Sequence, residues 1–404
     1  MARRIVVTGI GVITSIGEGR EVFWRNLLAG RSGISPVMSF NTSRYKVHNG
    51  GEIHDFNPDR FVQRLRAETM GRASQFAIAA SRLALEDGSL AVGDCDDTRA
   101  GVVVGTTSGE PQFIEALGEA HPDEVDVAFV RKYPSHMLAT HVAAEFRLRG
   151  MAVTTPTACA AGNTAIAYAA DAIRSWSADV ILAGGADAFS RITFTGFSRL
   201  GAIAPERCQP FDRTRRGMIP GEGGAMLLLE ALEHARARGA RVYAELAGYG
   251  LSCDAHHMTA GHPAGDGAVS AMGMALADAR LRREDVSYIS AHGTGTLIND
   301  RLETAAVKRL FGRAAYGIPI SSIKSMLGHC MGAAAAIEAA ACSLAVAHDR
   351  VPPTMNLEEP DASCDLDYVP NAARALRVDV AMNNAHGFGG NNACVLLKKY
   401  EAAA

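Results

Sequence analysis

Short apolar runs that end in glycine turns alternate along this chain with longer stretches of helical period. Arg4-Ile-Val-Val-Thr-Gly-Ile-Gly-Val-Ile-Thr predicts a buried first strand. Ala100-Gly-Val-Val-Val-Gly, Met151 to Thr155, Ala178-Asp-Val-Ile-Leu-Ala-Gly-Gly and Gly223-Gly-Ala-Met-Leu-Leu-Leu-Glu predict further buried strands. Helical spacing marks Glu21 to Gly30, where Phe23, Trp24, Leu27 and Leu28 share a face and Gly30 is the stop. It also marks Phe61 to Gly88, a hinged pair across Pro111 to Leu148, the run after Cys159, and Ala231 to Gly239. Asn41 to Arg60 is polar and irregular, and Phe194 to Pro220 reads as loop-rich.

Past Val242 the alternation begins again. Tyr243 to Gly250 predicts a strand and Gly267 to Ala279 a helix. Val286-Ser-Tyr-Ile-Ser-Ala-His and Ile318-Pro-Ile-Ser-Ser-Ile-Lys predict strands, and Ala393-Cys-Val-Leu-Leu-Lys a closing one. The stretch from Ser325 into the alanine run echoes the Cys159 unit: strand, turn with one reactive side chain, alanine-rich helix. That echo predicts an α/β protein of two pseudo-duplicated halves, 1–240 and 241–404.

Composition narrows the classes. The 404 residues, 48% hydrophobic and with 41 glycines, suit a tightly turned α/β core. A net charge of -3 argues against nucleic-acid binding by bulk charge. The eight cysteines, at 95, 159, 208, 253, 330, 342, 364 and 394, form no C-x-x-C pair, so a reducing, cytoplasmic setting is expected. The first residues turn directly into a strand and lack the apolar core of a signal peptide. The Ala333 to Ala347 run is broken by Glu338 and Ser343, so no membrane span is expected. Gly9 and Gly11 invite a dinucleotide-binding reading, but the third glycine of that fingerprint is out of step.

Candidate chemistry starts at Cys159. It stands at a strand-to-helix junction among Ala158, Ala160, Ala161 and Gly162. Unpaired N–H groups and the partial positive charge of a helix start are expected to favour thiolate there. His292 ends a predicted strand before Gly-Thr-Gly-Thr, and His329 heads a helix after Gly328. A thiol and two imidazoles at strand ends suit nucleophilic catalysis. Zinc is the alternative, but the spacing matches no compact metal motif and a fourth ligand is missing. Lys324 reads either as an exposed turn lysine or as a cation tuning a neighbour. Asp300 and Glu303 either cap a helix starting near Asn299 or order the His292 loop. Arg64, Arg66 and Arg72 read as a solvated helix face or a landing site for an acidic carrier, with Glu68 interrupting them. Arg213, Arg215 and Arg216 form a second basic cluster.

Thr157-Ala-Cys-Ala-Ala-Gly, Ala291-His-Gly-Thr-Gly-Thr, Ser322-Ile-Lys-Ser-Met-Leu-Gly-His and His386-Gly-Phe-Gly-Gly-Asn-Asn together resemble the β-ketoacyl-[acyl carrier protein] synthases. The resemblance covers nearly the whole chain. It implies a thiolase-like, layered αβαβα fold. Asn299-Asp-Arg-Leu-Glu-Thr looks most like the ketosynthase subunit of type II polyketide synthesis.

By the same resemblance, Cys159 would be the acyl-accepting nucleophile. His292 and His329 would hydrogen-bond the malonyl thioester carbonyl, with Lys324 supporting the pair. The N–H groups of Cys159 and Phe388 would form an oxyanion hole, and Phe388 a gate. Thr294 and Thr296 would hold the phosphopantetheine arm, and Phe197 would line the acyl pocket. No cofactor is implied beyond the phosphopantetheine that arrives on acyl carrier protein. The second subunit is implied to be an identical copy or a chain-length-factor-like partner. Leu297-Ile298, Asn163 and Glu68 depart from the family's pattern and bear on chain length and carrier preference. Chain-length-factor-like subunits lack the nucleophilic cysteine, and thiolases carry a second one in the last glycine loop. This chain has the first and lacks the second.

Overall fold

The computed structural model describes residues 3–119 and 132–401. Ten strands follow one another across one central sheet. They are β1 (Ile5–Thr14), β2 (Ala100–Gly105), β3 (Ala152–Thr155), β4 (Val180–Asp187), β5 (Gly223–Ala231), β6 (Ala244–Cys253), β7 (Tyr288–Ser290), β8 (Ile320–Ser321), β9 (Val380–Gly387) and β10 (Asn391–Lys398). A two-residue strand, Gly17–Glu18, folds back onto β1.

The spatial order is β3-β2-β4-β5-β1-β6-β10-β9-β7-β8. The five strands before residue 240 and the five after it therefore run in the same order, third-second-fourth-fifth-first. Their senses match too. β2 pairs in parallel with β3 and β4, and β7 pairs in parallel with β8 and β9. β5 lies antiparallel to β4 and β1, as β10 does to β9 and β6. A short antiparallel ladder, Ile5 to Val7 against Ala244 to Leu246, joins the two groups.

Helices complete the layers. α1 (Arg72–Asp87) covers the outer face of the first group and α3 (Asp266–Ala279) that of the second. Between the groups lie α2 (Ala161–Arg174) and α5 (Ala334–His348). The middle layer is alanine-rich for a steric reason. A Cβ on Gly162 of α2 would lie 2.5 Å from the Ala336 nitrogen of α5, so the two backbones nearly touch. Gly9 and Gly11 serve packing in the same way. A Cβ on either would lie about 2 Å from a carbonyl oxygen of α1, which assigns those glycines to strand–helix contact. The run Met331–His348 has the length (18 residues) and mean hydropathy (1.4) of a membrane span, but 89% of it is buried within the protein. Its apolar character serves this middle layer, where Glu338 and Ser343 are buried as well.

Several expectations need correction. Helix α1 begins at Arg72; Phe61 to Gly71 is turn and 3-10 structure, so Arg64 and Arg66 do not lie on a helix. The loop-rich stretch Phe194 to Pro220 opens on the end of a helix, Arg191–Arg199, which is capped by the Ser190 hydroxyl and carries Phe197. Of the pair expected across Pro111 to Leu148, helices occupy Pro111–Glu119 and Met137–Phe146, and 120–131 lie outside the described residues. Strand β9 was hidden by its polar residues Asn383, Asn384 and His386, of which the two asparagines are fully buried.

Candidate active site

The chain turns from β3 into α2 through Ala158, which holds a left-handed φ of 49°. A side-chain-bearing residue there costs about 1–3 kcal/mol of strain. The turn puts Cys159 at the foot of α2. Met331 repeats the device, with φ of 51°, at the turn into α5. Cys159 comes from the first strand group. His292, beyond β7, and His329, before α5, come from the second. The sulfur and one nitrogen of each ring lie within 4.8 Å of one another, and the two rings meet edge to face at 5.4 Å between centroids. All three groups are buried and face one cavity of about 440 Å³. Phe197, Met218, Leu297, Ile298 and Leu302 supply its apolar walls.

Burial sets the protonation states. It pushes the Cys159 thiol up to about 11; the Lys324 ammonium and the N–H groups of Phe388 and Cys159 pull the other way without overcoming it. The expectation of a resting thiolate at the helix start is therefore corrected: desolvation wins. Burial, then the Lys324 charge, hold His292 and His329 well below the ordinary imidazole value, so both are neutral at pH 7.

The His329 tautomer follows from geometry. The Met331 N–H donates to His329 Nδ1 at 3.1 Å, so Nε2 carries the hydrogen. His329 thus presents a fixed N–H donor rather than a metal-binding lone pair. His292 Nδ1 has no partner among the described residues, which leaves its single hydrogen free to sit on either nitrogen.

Lys324 lies in the short helix Lys324–Leu327, with 1% of its surface exposed, and donates to Glu338 of α5. Its reading as an exposed turn lysine is excluded. Burial, offset by Lys324, places the Glu338 carboxyl at about 7. Glu338 figured in the sequence only as a break in the alanine run. A single acid within an otherwise apolar buried helix was the available signal.

Glu303 and Asp300 project from α4 (Leu297–Phe311), which the Thr296 hydroxyl caps by accepting from the Asn299 N–H. Glu303 accepts the N–H groups of His292 (2.7 Å) and Gly293 (2.8 Å). Asp300 accepts those of Gly295 (3.2 Å) and Phe211 (2.8 Å). The two carboxylates thus fasten the His292 loop. Thr294 and Thr296 share a hydroxyl–hydroxyl bond of 2.9 Å at the cavity wall.

Phe388 packs against Phe197 with ring centroids 5.4 Å apart. Gly389 and Gly390, both at positive φ, follow it, and a Cβ on Gly387 would lie 3.2 Å from the Cys159 nitrogen. Asn163 of α2 links the halves, donating to the Asn383 carbonyl at 3.0 Å and accepting from the Asn383 amide at 2.9 Å. A third cavity histidine, His386, was quoted in the sequence only as part of a motif; it stands beside His292 at 5.6 Å between ring centroids.

The basic cluster divides. Arg64 and Arg66 are exposed, and Arg66 pairs with Glu68. Arg72 turns inward to Glu222, which is 2% exposed, so it does not share the surface of the other two. Arg215 is also internal, bound to Asp361.

A buried thiol, two neutral imidazoles and the N–H groups of Cys159 and Phe388 at one cavity are the groups that acyl transfer needs. Two family models agree with this class. Residues 2–235 match the β-ketoacyl synthase N-terminal domain and 243–358 its C-terminal domain. The chain belongs to the β-ketoacyl synthase family and is an acyltransferase-type synthase of thiolase-like fold. It is 41% identical to 3-oxoacyl-[acyl-carrier-protein] synthase 2 of Synechocystis sp., with 99% of each chain covered. The ishigamide ketosynthase/chain length factor structure superposes with a TM-score of 0.95 at 44% identity, covering 99% of this chain and all of that one. A type II polyketide acyl-carrier protein in complex with its ketosynthase bound to the hexaketide gives a TM-score of 0.92 at 34% identity, with the same coverage.

Proposed function

We propose that this protein elongates an acyl chain held on Cys159 by decarboxylative Claisen condensation with malonyl-carrier protein. The observation that carries the reading is the convergence of Cys159, His292 and His329 on one apolar cavity. In the first half-reaction the Cys159 sulfur attacks an acyl thioester on the carrier. Its proton passes to the free nitrogen of neutral His292 and on to the departing pantetheine sulfur. The N–H groups of Cys159 and Phe388 receive the oxyanion.

In the second half-reaction malonyl-carrier enters along Thr294 and Thr296. The His329 Nε2–H, with His292, stabilises the enolate left when carbon dioxide departs. Fixed donors act most strongly where charge develops, in a buried cavity. The enolate carbon attacks the Cys159 thioester, the carbon–sulfur bond breaks, and the sulfur takes up one proton. The product is 3-oxoacyl-carrier protein. Burial and the charge of Lys324, which pairs with Glu338, keep both imidazoles uncharged at rest, so His292 carries a proton only in passing.

The Asn299-Asp-Arg-Leu-Glu-Thr run and the likeness to ketosynthases of polyketide assemblies favour a type II polyketide or polyene pathway. The likeness to a 3-oxoacyl-[acyl-carrier-protein] synthase 2 supports the second reading, elongation in fatty-acid synthesis. On the first reading the second subunit is chain-length-factor-like, and on the second it is another copy. Arg64 and Arg66 receive the acidic carrier. The eight free thiols suit a reducing, cytoplasmic compartment. The two halves, 1–240 and 241–404, descend from one duplicated unit, as their common strand order suggests.

Intact-mass measurement after incubation with acyl-carrier protein tests the assignment. The wild type gains one acyl group and Cys159→Ala gains none. Acylation of the variant would remove the nucleophile.

A further inference from the structure

His386 lies on β9 two residues before Phe388 and has no part in the two half-reactions. Its surroundings specify its charge. Asn392 donates its amide to the Asp254 carboxylate (2.9 Å) and the Gly390 carbonyl (3.1 Å), both pure acceptors. The Asn392 side-chain oxygen therefore faces His386 Nδ1 at 2.8 Å, and that nitrogen must carry hydrogen. The other nitrogen, Nε2, has no hydrogen-bond partner among the described residues and stands 3.7 Å from Glu303 Oε1. A bare lone pair there would face a buried carboxylate. A second N–H would face it favourably and give Glu303, 3% exposed, a compensating cation.

We propose that His386 is a positioning residue for the condensation: a doubly protonated ring, held by Asn392, that neutralises Glu303 and so fixes the His292 turn in a field that keeps His292 uncharged. This rests on the reading of the cavity given above. Glu303 clamps the backbone of His292 and Gly293 with both oxygens, so its charge and orientation pass directly to the His292 ring.

The charged groups around His386 agree. Burial alone would lower it, but Glu303, then Asn392 and Asp254, carry it above the ordinary imidazole value. Burial likewise raises Glu303, and His386 with the two N–H groups brings it below the usual carboxylate range. Lys324 and Glu338 form a separate pair beyond His292, and His329 and the Cys159 thiol are neutral. His262 also lines the cavity, and its backbone N–H donates to the other oxygen of Asp254 at 3.1 Å. Among His292's neighbours, His386 acts with Lys324 and His329 to disfavour a charge on it.

The sign of the pH dependence follows. Cationic His386 is present below its raised pKa and lost as pH rises through it, so the wild-type rate falls on the alkaline side. In His386→Phe or His386→Asn that limb disappears. The acidic limb moves to higher pH, because His292 then faces an unopposed Glu303 and gains a proton more readily. Cys159 acylation and malonyl decarboxylation both slow by about tenfold, the usual effect of losing a partner that orients a functional group. Unchanged rates and an unchanged profile in a variant with wild-type thermal unfolding would overturn the proposal.

Nitrogen-15 spectra of the histidine rings in the full wild-type protein decide the matter even if the variants fail to fold. The expected result is two protonated nitrogens on His386 at pH 7; a neutral ring would overturn it. That spectrum is independent of turnover. A wild type that neither acylates nor decarboxylates would refute the functional reading and leave the ring result standing.

Discussion

At the residue scale the site is a problem in desolvation. Each reacting group is buried, and burial makes each one neutral: thiol rather than thiolate, imidazole rather than imidazolium. Alkylation of Cys159 by a neutral reagent is therefore slow at pH 7 and rises about tenfold per pH unit over the range below its raised pKa. A rate independent of pH, read by intact mass, would contradict that state. His329 has the sharper role, because Met331 fixes its donor. His329→Ala should lose about 100-fold or more in malonyl decarboxylation, as removal of one preorganised donor does. Cys159 should still accept an acyl group. Loss of acylation in a folded variant would shift the role of His329.

Much of this scale was legible in the sequence. Cys159, His292 and His329 stood out because each interrupts a small-residue turn beside an apolar run. Glu338 and His386 did not. Each lies inside an element, and its importance comes from a partner distant in the chain: Lys324 for one, Glu303 for the other. The thiolate expectation failed because a helix start says nothing about how much water is excluded. Only the packed α2–α5 layer determines that.

At the element scale the buried strands were readable wherever apolar residues ran without interruption, as in β1, β4 and β5. Strand β9 was not, because its asparagines are polar yet fully buried: the Asn383 amide donates to Asn163 of the other half and to the Ala335 carbonyl of α5, and Asn384 contacts Met272 of α3. Asn163 is the counterpart of Asn383, tying the Cys159 helix to β9. Asn163→Leu should destabilise the fold by about 1–3 kcal/mol, since the amide of Asn383 keeps one partner and loses another. A shift in the denaturant midpoint measures it. An unchanged midpoint would show that the cross-link is dispensable.

The end of α1 gives the other lesson of this scale. Helical spacing extended the helix back to Phe61, but Gly71 and the inward pull of Glu222 on Arg72 start it later. Only Arg64 and Arg66 remain on the surface. Reversing both charges should raise the apparent Michaelis constant for carrier-bound substrate several-fold, by about the 1 kcal/mol that exposed ion pairs contribute at most. Turnover at saturation should be unchanged. An unaltered Michaelis constant would make the pair a solvated surface.

At the scale of the whole molecule, repetition of one strand order places the sulfur and the imidazoles at facing ends of two similar units. Neither half holds a complete set of groups. The partly exposed strand β3, just before Cys159, is the edge of the sheet among the described residues. Light scattering on the purified chain, alone and with a co-expressed chain-length-factor-like protein, separates the two readings of pathway. A stable homodimer of the 42.6 kDa chain supports fatty-acid elongation, and assembly only with the second protein supports the polyketide reading.

The central claim is that one cavity performs both half-reactions on the same sulfur. The direct test is a chase. Protein carrying an isotopically labelled acyl group on Cys159 is freed of donor, mixed with malonyl-carrier protein, and followed by mass spectrometry on both proteins. The account predicts that the label leaves Cys159 and appears on the carrier as a 3-oxoacyl group two carbons longer, with one carbon dioxide released per label transferred. Label that stays on Cys159 while malonyl-carrier is decarboxylated, or that returns to the carrier unextended, would contradict it.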